Sequence, residues 1–335
     1  MWGPLSAYCF QAVRSDAKVP AAPADADDSL IWASAYHAPV LAAEVAALLG
    51  DAARVLDGTL GGGGHTESLL QRGVRVTAVD RDPDAIAAAG ARLARFVRDG
   101  RLRLVLANYA QLDDADVGVE RFDGMLLDLG ISSHQIDDTA RGFSFREGAP
   151  LDMRMGPDAR LDAAGFLNSA DEGELAWVFR EYGDERRAIR MAREVVRRRT
   201  TRPFATSDDF VGAIRATLGP RSGPAEFARL FQAVRIAINE ELRGLERALP
   251  ALRDRLNPNG VFVVISYHSG EDRIVKHAFR DWSTACTCPP KQPMCTCGGR
   301  TLGTLLTRRS VTAGPAELKA NSRSRSARLR AWRAE

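Results

Sequence analysis

A glycine-rich turn between two apolar segments restricts the fold more than any other feature of this 335-residue chain. The apolar segment Arg54–Asp57 runs directly into Gly58-Thr-Leu-Gly-Gly-Gly-Gly-His65, after which a helical pattern begins. Glycines allow the tight turn and let a ligand approach the backbone closely. A second apolar segment ends at Asp80, where a carboxylate can accept hydrogen bonds from two ribose hydroxyls. This order of strand, glycines, helix, strand and acid predicts a nucleoside-cofactor site.

The turn by itself leaves the cofactor open, because dinucleotide-binding folds use a similar arrangement. Its four consecutive glycines fit the G-x-G-x-x-G spacing of those folds only loosely. An acid followed by three residues and alternating glycines is typical of methyltransferases, and Asp57, Gly61 and Gly63 stand in that order. A methyltransferase is therefore favoured over a nicotinamide dehydrogenase, for which the sequence offers no distinct catalytic base.

The apolar periodicity of the whole chain predicts an α/β fold, a doubly wound parallel sheet with an inserted all-helical domain. Five strands are expected, at Arg54–Asp57, Val74–Asp80, Leu102–Leu106, Phe122–Leu129 and Val261–Ser266. The predicted units are a disordered extension over 1–35, a sheet domain in two parts over 36–135 and 227–335, and a helical insert over 136–226. The part that follows the insert is expected to begin with one helix over Phe227–Leu249, whose apolar residues keep helical spacing.

The loop after the fourth strand is a second candidate site. Ligands of open α/β sheets bind beyond the carboxyl ends of the strands, and Asp128, Ser132, Ser133 and Gln135 occupy that place. Their side chains offer hydrogen-bond donors and acceptors around a reacting group. The alternative is a solvated loop, in which serine and aspartate are common for turn reasons.

These motifs resemble those of the MraW/RsmH family, the 16S ribosomal RNA cytosine-N4 methyltransferases. The resemblance covers about residues 36–333. Besides the two glycine and acid motifs above, it rests on Leu127–Gln135, Arg141–Phe145, Pro150–Met155, Phe231–Ile236, Ile265–Arg273 and Asn321–Ala327. The chain departs from the family pattern at Gly62, at His134, where proline is frequent, and at Gly270, where leucine is usual.

The resemblance implies a class I (Rossmann-like) methyltransferase that uses S-adenosylmethionine and acts on small-subunit ribosomal RNA or the 30S particle. The residues implied for the cofactor site are Gly63, Gly64, His65, Asp80, Tyr109, Asp128 and Gln135. Asp128 is also the candidate catalytic residue, as an acceptor for the N–H bonds of the amine while positive charge develops on it. The insert would help to form an RNA-binding cleft, where Phe143 or Phe145 either stacks on the flipped base or packs the insert against the sheet domain.

Two arginine-rich segments are candidates for contact with RNA phosphates. Arg186, Arg190, Arg193 and Arg197 share one face of a helix predicted over 185–199. The second segment contains Arg323, Arg325, Arg328, Arg330 and Arg333. The alternative for both is an ordinary solvated surface.

Four of the five cysteines lie within twelve residues, as Cys286, Cys288, Cys295 and Cys297. Four thiolates can complete a tetrahedral structural zinc site, although the C-x-C spacing is tighter than the usual C-x-x-C. Free thiols in a loop and a redox pair are the alternatives. Local clustering of cysteines points to a reducing compartment.

Composition excludes little else. The net charge of +3 neither requires nor rules out a nucleic acid partner, and no segment is long and apolar enough to span a membrane. A cytoplasmic bacterial protein is the economical expectation. Two further possibilities remain, namely a methyltransferase acting on DNA or protein and a non-catalytic RNA-binding assembly factor that keeps the cofactor fold.

Overall fold

A computed structural model describes residues 39–286, 288, 292, 296 and 299–335. The extension predicted over 1–35 lies outside the described residues. Within them, seven strands form one sheet in the order β3-β2-β1-β4-β5-β7-β6. The strands are β1 Arg54–Asp57, β2 Arg75–Asp80, β3 Leu102–Leu106, β4 Phe122–Asp128, β5 Leu256–Ser266, β6 Gly303–Leu305 and β7 Arg328–Ala334.

The first five strands are parallel, and β7 is antiparallel to both of its neighbours. Strand β1 lies between β2 and β4, so the chain reverses its direction of winding beside β1 and opens a crevice at the carboxyl ends of the strands. The doubly wound sheet and all five predicted strands are confirmed, although β5 begins at Leu256, earlier than the predicted Val261.

Fourteen helices are found in the described residues. They are α1 Ala42–Leu49, α2 Gly64–Gln71, α3 Pro83–Arg92, α4 Ala94–Arg98, α5 Asp114–Val117, α6 Ser133–Asp137, α7 Ala163–Ser169, α8 Glu172–Glu181, α9 Ala188–Arg199, α10 Ser207–Leu218, α11 Pro224–Ile238, α12 Glu241–Arg253, α13 Ser269–Trp282 and α14 Pro315–Ala320. Helices α7 to α11 lie between β4 and β5 in sequence and pack on one another, which agrees with an insert made of helices.

The single helix predicted over Phe227–Leu249 is wrong. Helix α11 ends at Ile238, and Glu240 has a φ of 51°, so α12 begins in a new direction. The buried side chain of Asn239 accepts a hydrogen bond from the backbone N–H of Met155 (2.9 Å) and donates one to the carbonyl of Met153 (2.8 Å). These tertiary bonds draw the chain out of the helix, and apolar spacing alone does not reveal them.

The core divides into three apolar clusters. Two of them cover the two faces of the sheet, and the third fills the helical region. The third cluster extends from Leu151 to Val234, so α11 packs with the helices before it. We therefore propose that the helical region ends at Ile238 rather than at residue 226. No helix of the described residues has the length and apolarity to cross a membrane.

The arginine-rich segment near residue 330 is largely sheet, not a free basic tail. Along β7, Leu329 and Ala331 are buried on one face, while Trp332 is buried on the other. Arg330 is also buried and forms a bidentate ion pair with Asp272 on α13, with N–O distances of 2.7 and 3.1 Å. The expectation that Arg330 contacts RNA phosphates is therefore wrong, because its guanidinium is already engaged inside the fold.

We expect Arg330→Met to lower the free energy of unfolding by about 3 kcal/mol, because the substitution leaves the Asp272 carboxylate buried without its main partner. The double variant Arg330→Met/Asp272→Leu should recover part of that loss. Urea denaturation measures both, with Arg325→Ala on the exposed surface as a control that stays close to the wild type. Equal stability of Arg330→Met and the control would contradict a structural role for the pair.

Candidate active site

A cavity of about 430 Å³ opens between the carboxyl ends of the strands and the helical region. Six of the seven residues implied for the cofactor site line it, namely Gly64, His65, Asp80, Tyr109, Asp128 and Gln135. Gly63 is not among the lining residues. It adopts a φ of 75° as the N-cap of α2, so its role is to turn the chain into the helix.

The glycine turn is held by a buried carboxylate. Thr66 Oγ1 donates to Asp57 Oδ2 (2.6 Å), and the Thr59 N–H donates to Asp57 Oδ1 (3.2 Å). Burial raises the pKa of Asp57. At Gly58 a Cβ would lie 2.5 Å from Leu127 Cδ2, so a side chain there would displace the buried side chain of Leu127.

Asp80 is positioned by two backbone groups. The N–H of Gly61 donates to Oδ2 (2.7 Å) and that of Asp82 donates to Oδ1 (2.9 Å). Burial outweighs these bonds and raises the pKa of Asp80 to about 6. The carboxylate is therefore fixed in orientation at the end of β2, and its charge is sensitive to mildly acidic pH.

Asp128 lies between a histidine and a tyrosine. Tyr267 Oη donates a hydrogen bond to Asp128 Oδ1 (2.9 Å), and His65 Nε2 lies 3.4 Å from Asp128 Oδ2. The backbone N–H of Asp128 donates to Thr59 Oγ1 (2.6 Å), which ties the end of β4 to the glycine turn. Burial, reinforced by the Asp128 carboxylate, raises the pKa of Tyr267 well above its ordinary value, so its hydroxyl stays a donor.

His65 is buried, with 6% of its surface exposed. Its Nε2 faces the Asp128 carboxylate at 3.4 Å, whereas its Nδ1 has no hydrogen-bond partner among the described residues. A buried polar group without a partner is costly, so a ligand that supplies one gains affinity. His65 also lines the cavity, which makes it a fitting partner for a polar group of the cofactor.

Gln135 lines the cavity but is committed to the protein. Its Nε2 donates to Asp82 Oδ2 (2.9 Å), and its Oε1 accepts from the Ser132 N–H (3.0 Å). Arg141 also binds Asp82, with Nη2 and Oδ2 2.8 Å apart. Gln135 therefore shapes the loop after β4 and joins it to the loop after β2.

Sequence reasoning missed a polar cluster on the far side of the cavity. Arg81 makes a bidentate ion pair with Asp158 (3.0 and 2.7 Å), and its Nη1 donates to the carbonyl of Asn239 (3.0 Å). Asn108 Nδ2 donates to the same carboxylate of Asp158 (2.8 Å). Asp158 lies 77 residues from Arg81 in sequence, and no local pattern relates them. The role of Tyr267 was missed too, although the motif that contains it was recognised.

The aromatic residues of the Arg141–Phe145 motif contact the helical region, although Phe145 stays partly exposed. The ring of Phe145 meets the edges of Phe227 and Phe231 at centroid distances of 5.8 and 6.0 Å, and Phe143 packs against the helical core. These contacts favour the packing alternative over a base-stacking role.

The zinc prediction concerns residues that are only partly described. Cys286 and Cys288 belong to the described residues, whereas Cys295 and Cys297 lie outside them. In the described part of the chain no three histidine, cysteine or acidic side chains cluster as metal ligands would. The four-cysteine site therefore stays a prediction.

We expect the affinity for S-adenosylmethionine, the cofactor implied by the resemblance, to fall as the pH is lowered through about 6. The resemblance implies that Asp80 accepts hydrogen bonds from two ribose hydroxyls, which an ionised carboxylate can do with both oxygens. Protonation turns one of these oxygens into a donor, and the pKa of Asp80, raised to about 6 by burial, places that change in this range. Calorimetric titration should show about a tenfold loss per pH unit below the pKa. Asp80→Asn should bind weakly with much less pH dependence, and a wild-type affinity that does not change between about pH 5 and about pH 8 would contradict this role.

Comparisons with known proteins identify the family of this chain. The model of the MraW methylase family matches residues 34–335. The "Ribosomal RNA small subunit methyltransferase H" of Gemmatimonas aurantiaca is 65% identical over 299 residues, which cover 89% of this chain and 95% of that protein. The protein of the same name from Heliobacterium mobile is 44% identical over 306 residues, covering 88% and 97%. The protein is thus a class I methyltransferase with S-adenosylmethionine as its cofactor, and the chain belongs to the MraW methylase family.

Proposed function

We propose that this protein methylates the exocyclic N4 amine of a cytidine in small-subunit ribosomal RNA, free or within the 30S particle. The main support for ribosomal RNA as the methyl acceptor is the 65% identity to a protein named as a small-subunit ribosomal RNA methyltransferase, over nearly the whole of both chains. The resemblance of the sequence motifs to the MraW/RsmH family supports the N4 amine of cytosine as the group that is methylated. Such a partner agrees with the predicted cytoplasmic location.

The cofactor supplies an electrophilic methyl group on a sulfonium. The residues around the cavity fit an adenosyl group with an attached amino acid. In this proposal Asp80 accepts hydrogen bonds from the ribose, and Tyr109 lies beside the adenine, on the loop that follows β3. The backbone of Gly64 at the start of α2 and the ring of His65 bind polar groups of the cofactor.

Asp128 is proposed to bind the amine that is methylated. The cytosine amine is a poor nucleophile because its lone pair is conjugated with the ring. A carboxylate that accepts its N–H bonds stabilises the positive charge that develops on nitrogen. Tyr267 holds Oδ1 of Asp128 by a 2.9 Å hydrogen bond and so fixes the rotation of the carboxylate. After methyl transfer the amine proton is acidic and leaves without a strong base.

The exposed arginines of α9 remain a proposed contact with RNA phosphates. Arg186, Arg190, Arg193 and Arg197 are all exposed. The last three lie on α9, whereas Arg186 precedes its first residue, Ala188, so the helix predicted to begin at residue 185 begins later. Arg193 and Arg197 form ion pairs with Glu172 (2.9 Å) and Glu194 (2.8 Å), which RNA phosphates would compete for. Exposed pairs of this kind contribute little stability, so exchanging them for phosphate contacts costs little.

Labelled S-adenosylmethionine, purified 30S particles and nucleoside mass analysis test the reaction. We expect the label in N4-methylcytidine of the small-subunit RNA. Label in another nucleoside would agree with a ribosomal RNA methyltransferase but contradict cytosine N4 as the methylated group. Transfer only to DNA or protein would contradict ribosomal RNA as the acceptor. Binding to 30S particles without any transfer would favour a non-catalytic assembly factor.

We expect Asp128→Asn to lower the single-turnover rate of methylation at least about 100-fold, because the amide no longer offers a charged acceptor to the amine. Asp137→Asn is the matched control, since Asp137 is exposed at the end of α6 and pairs with Arg323 outside the cavity. Cofactor affinity of both variants is measured alongside to separate binding from chemistry. Full turnover by Asp128→Asn would exclude the proposed role.

A further inference from the structure

The cavity extends beyond the cofactor residues into a lobe between the helical region and α12. This lobe is lined by Trp177 and Tyr182 at the end of α8, by Arg243 and Arg247 on α12, and by Arg160 and Leu161 before α7. None of these residues belongs to the motifs implied for the cofactor. The lobe therefore offers binding surface that the cofactor site leaves unexplained.

Two large apolar side chains are exposed in this lobe. Trp177 has 40% and Leu161 46% of their surface exposed. Leu175, Val178 and Phe179 form the buried face of α8. Trp177 lies outside that face, so its side chain is not needed to pack the helix against the core. Exposed apolar surface that faces a cavity, rather than lying singly on the outside, indicates a ligand.

Planar groups in the lobe are arranged next to one another. The rings of Trp177 and Tyr182 meet edge to face at a centroid distance of 4.8 Å, and the guanidinium carbon of Arg243 lies 5.2 Å from the centre of the Trp177 ring. Burial raises the pKa of Tyr182, so the phenol stays neutral beside the arginine. Aromatic rings and guanidinium planes are the groups on which unstacked RNA bases stack.

Three arginines beside these rings can pair with phosphates of a strand, although Glu174 and Glu240 also line the cavity. Arg160 and Arg243 are exposed at the rim, and no ion pair of either with an acidic side chain is found in the described part of the chain. Arg247 pairs with Glu240 (3.0 Å) at an exposed site, where the pair exchanges readily for a phosphate. A base on the aromatic cluster would place its phosphate near these cations.

We propose that this lobe binds one unstacked nucleobase of the RNA substrate, by stacking on the Trp177–Arg243 cluster, at a position other than the methylated cytidine. The inference rests on the proposed function, since the occupant is a nucleotide of the RNA acceptor. The subsite holds the strand by stacking, which every base supports, and so contributes affinity with little sequence preference.

The subsite is tested by measuring how strongly the Trp177→Leu and Trp177→Phe variants bind a single-stranded RNA of mixed sequence. The RNA is labelled, and binding is followed by fluorescence anisotropy. Leucine keeps an apolar side chain but has no aromatic face, whereas phenylalanine keeps an aromatic face smaller than that of tryptophan. We expect Trp177→Leu to weaken RNA binding about tenfold and Trp177→Phe to weaken it less. Val97→Ala, which trims an exposed apolar side chain on α4 outside the cavity, should bind as the wild type does.

The affinity for S-adenosylmethionine and the methylation of 30S particles are measured on the same variants. Unchanged cofactor affinity with weaker RNA binding and a higher KM for 30S particles supports the subsite. RNA affinity of Trp177→Leu equal to that of the wild type overturns it, even where methylation of 30S particles succeeds. A parallel loss of cofactor affinity also overturns it, because the lobe then belongs to the cofactor. RNA binding that depends on Trp177 without any methyl transfer keeps the subsite and overturns only the proposed reaction.

Discussion

The ion pair between Arg81 and Asp158 joins the two halves of the molecule directly at the cavity. Arg81 follows Asp80 on the loop after β2, while Asp158 belongs to the chain that leads into the helical region. The same guanidinium binds the carbonyl of Asn239, where α11 gives way to α12. One side chain therefore couples the cofactor loop, the start of the helical region and its end. The volume and shape of the cavity depend on this contact, because its walls come from both halves.

The acidic residues of the site are arranged for a cationic ligand. Asp57, Asp80 and Asp128 end three neighbouring strands, and burial raises the pKa of the first two. Mutual repulsion among these carboxylates adds to that effect. A ligand that carries positive charge relieves the repulsion, whereas an anionic dinucleotide would increase it. The electrostatics thus agree with a sulfonium cofactor. They give a physical reason to prefer S-adenosylmethionine over a dinucleotide, which the glycine turn alone could not decide.

Sequence patterns correctly predicted the features of the site that depend on neighbouring residues. The turn from Asp57 to His65 and the acid at Asp80 are set by neighbouring residues, so their positions in the cavity followed from the strand order. Strand β7 was missed because its arginines mask the alternation, and Arg330 is buried only through Asp272, which is 58 residues away in sequence. The break at Asn239 was missed for the same reason, since its partners Met153 and Met155 come from a distant segment.

The insertion point of the helical region explains how one fold holds both a cofactor and a large acceptor. Helices α7 to α11 leave the sheet after β4, which ends in Asp128, and the chain returns to β5, which runs on to Tyr267. These two residues are hydrogen-bonded, so the carboxyl ends of β4 and β5 meet at the group proposed to bind the amine. Surfaces on α8 and α12 border the cavity at a distance in sequence from the glycine turn. Binding of the strand can therefore change by substitution in the helices while Asp80 and Asp128 keep their geometry.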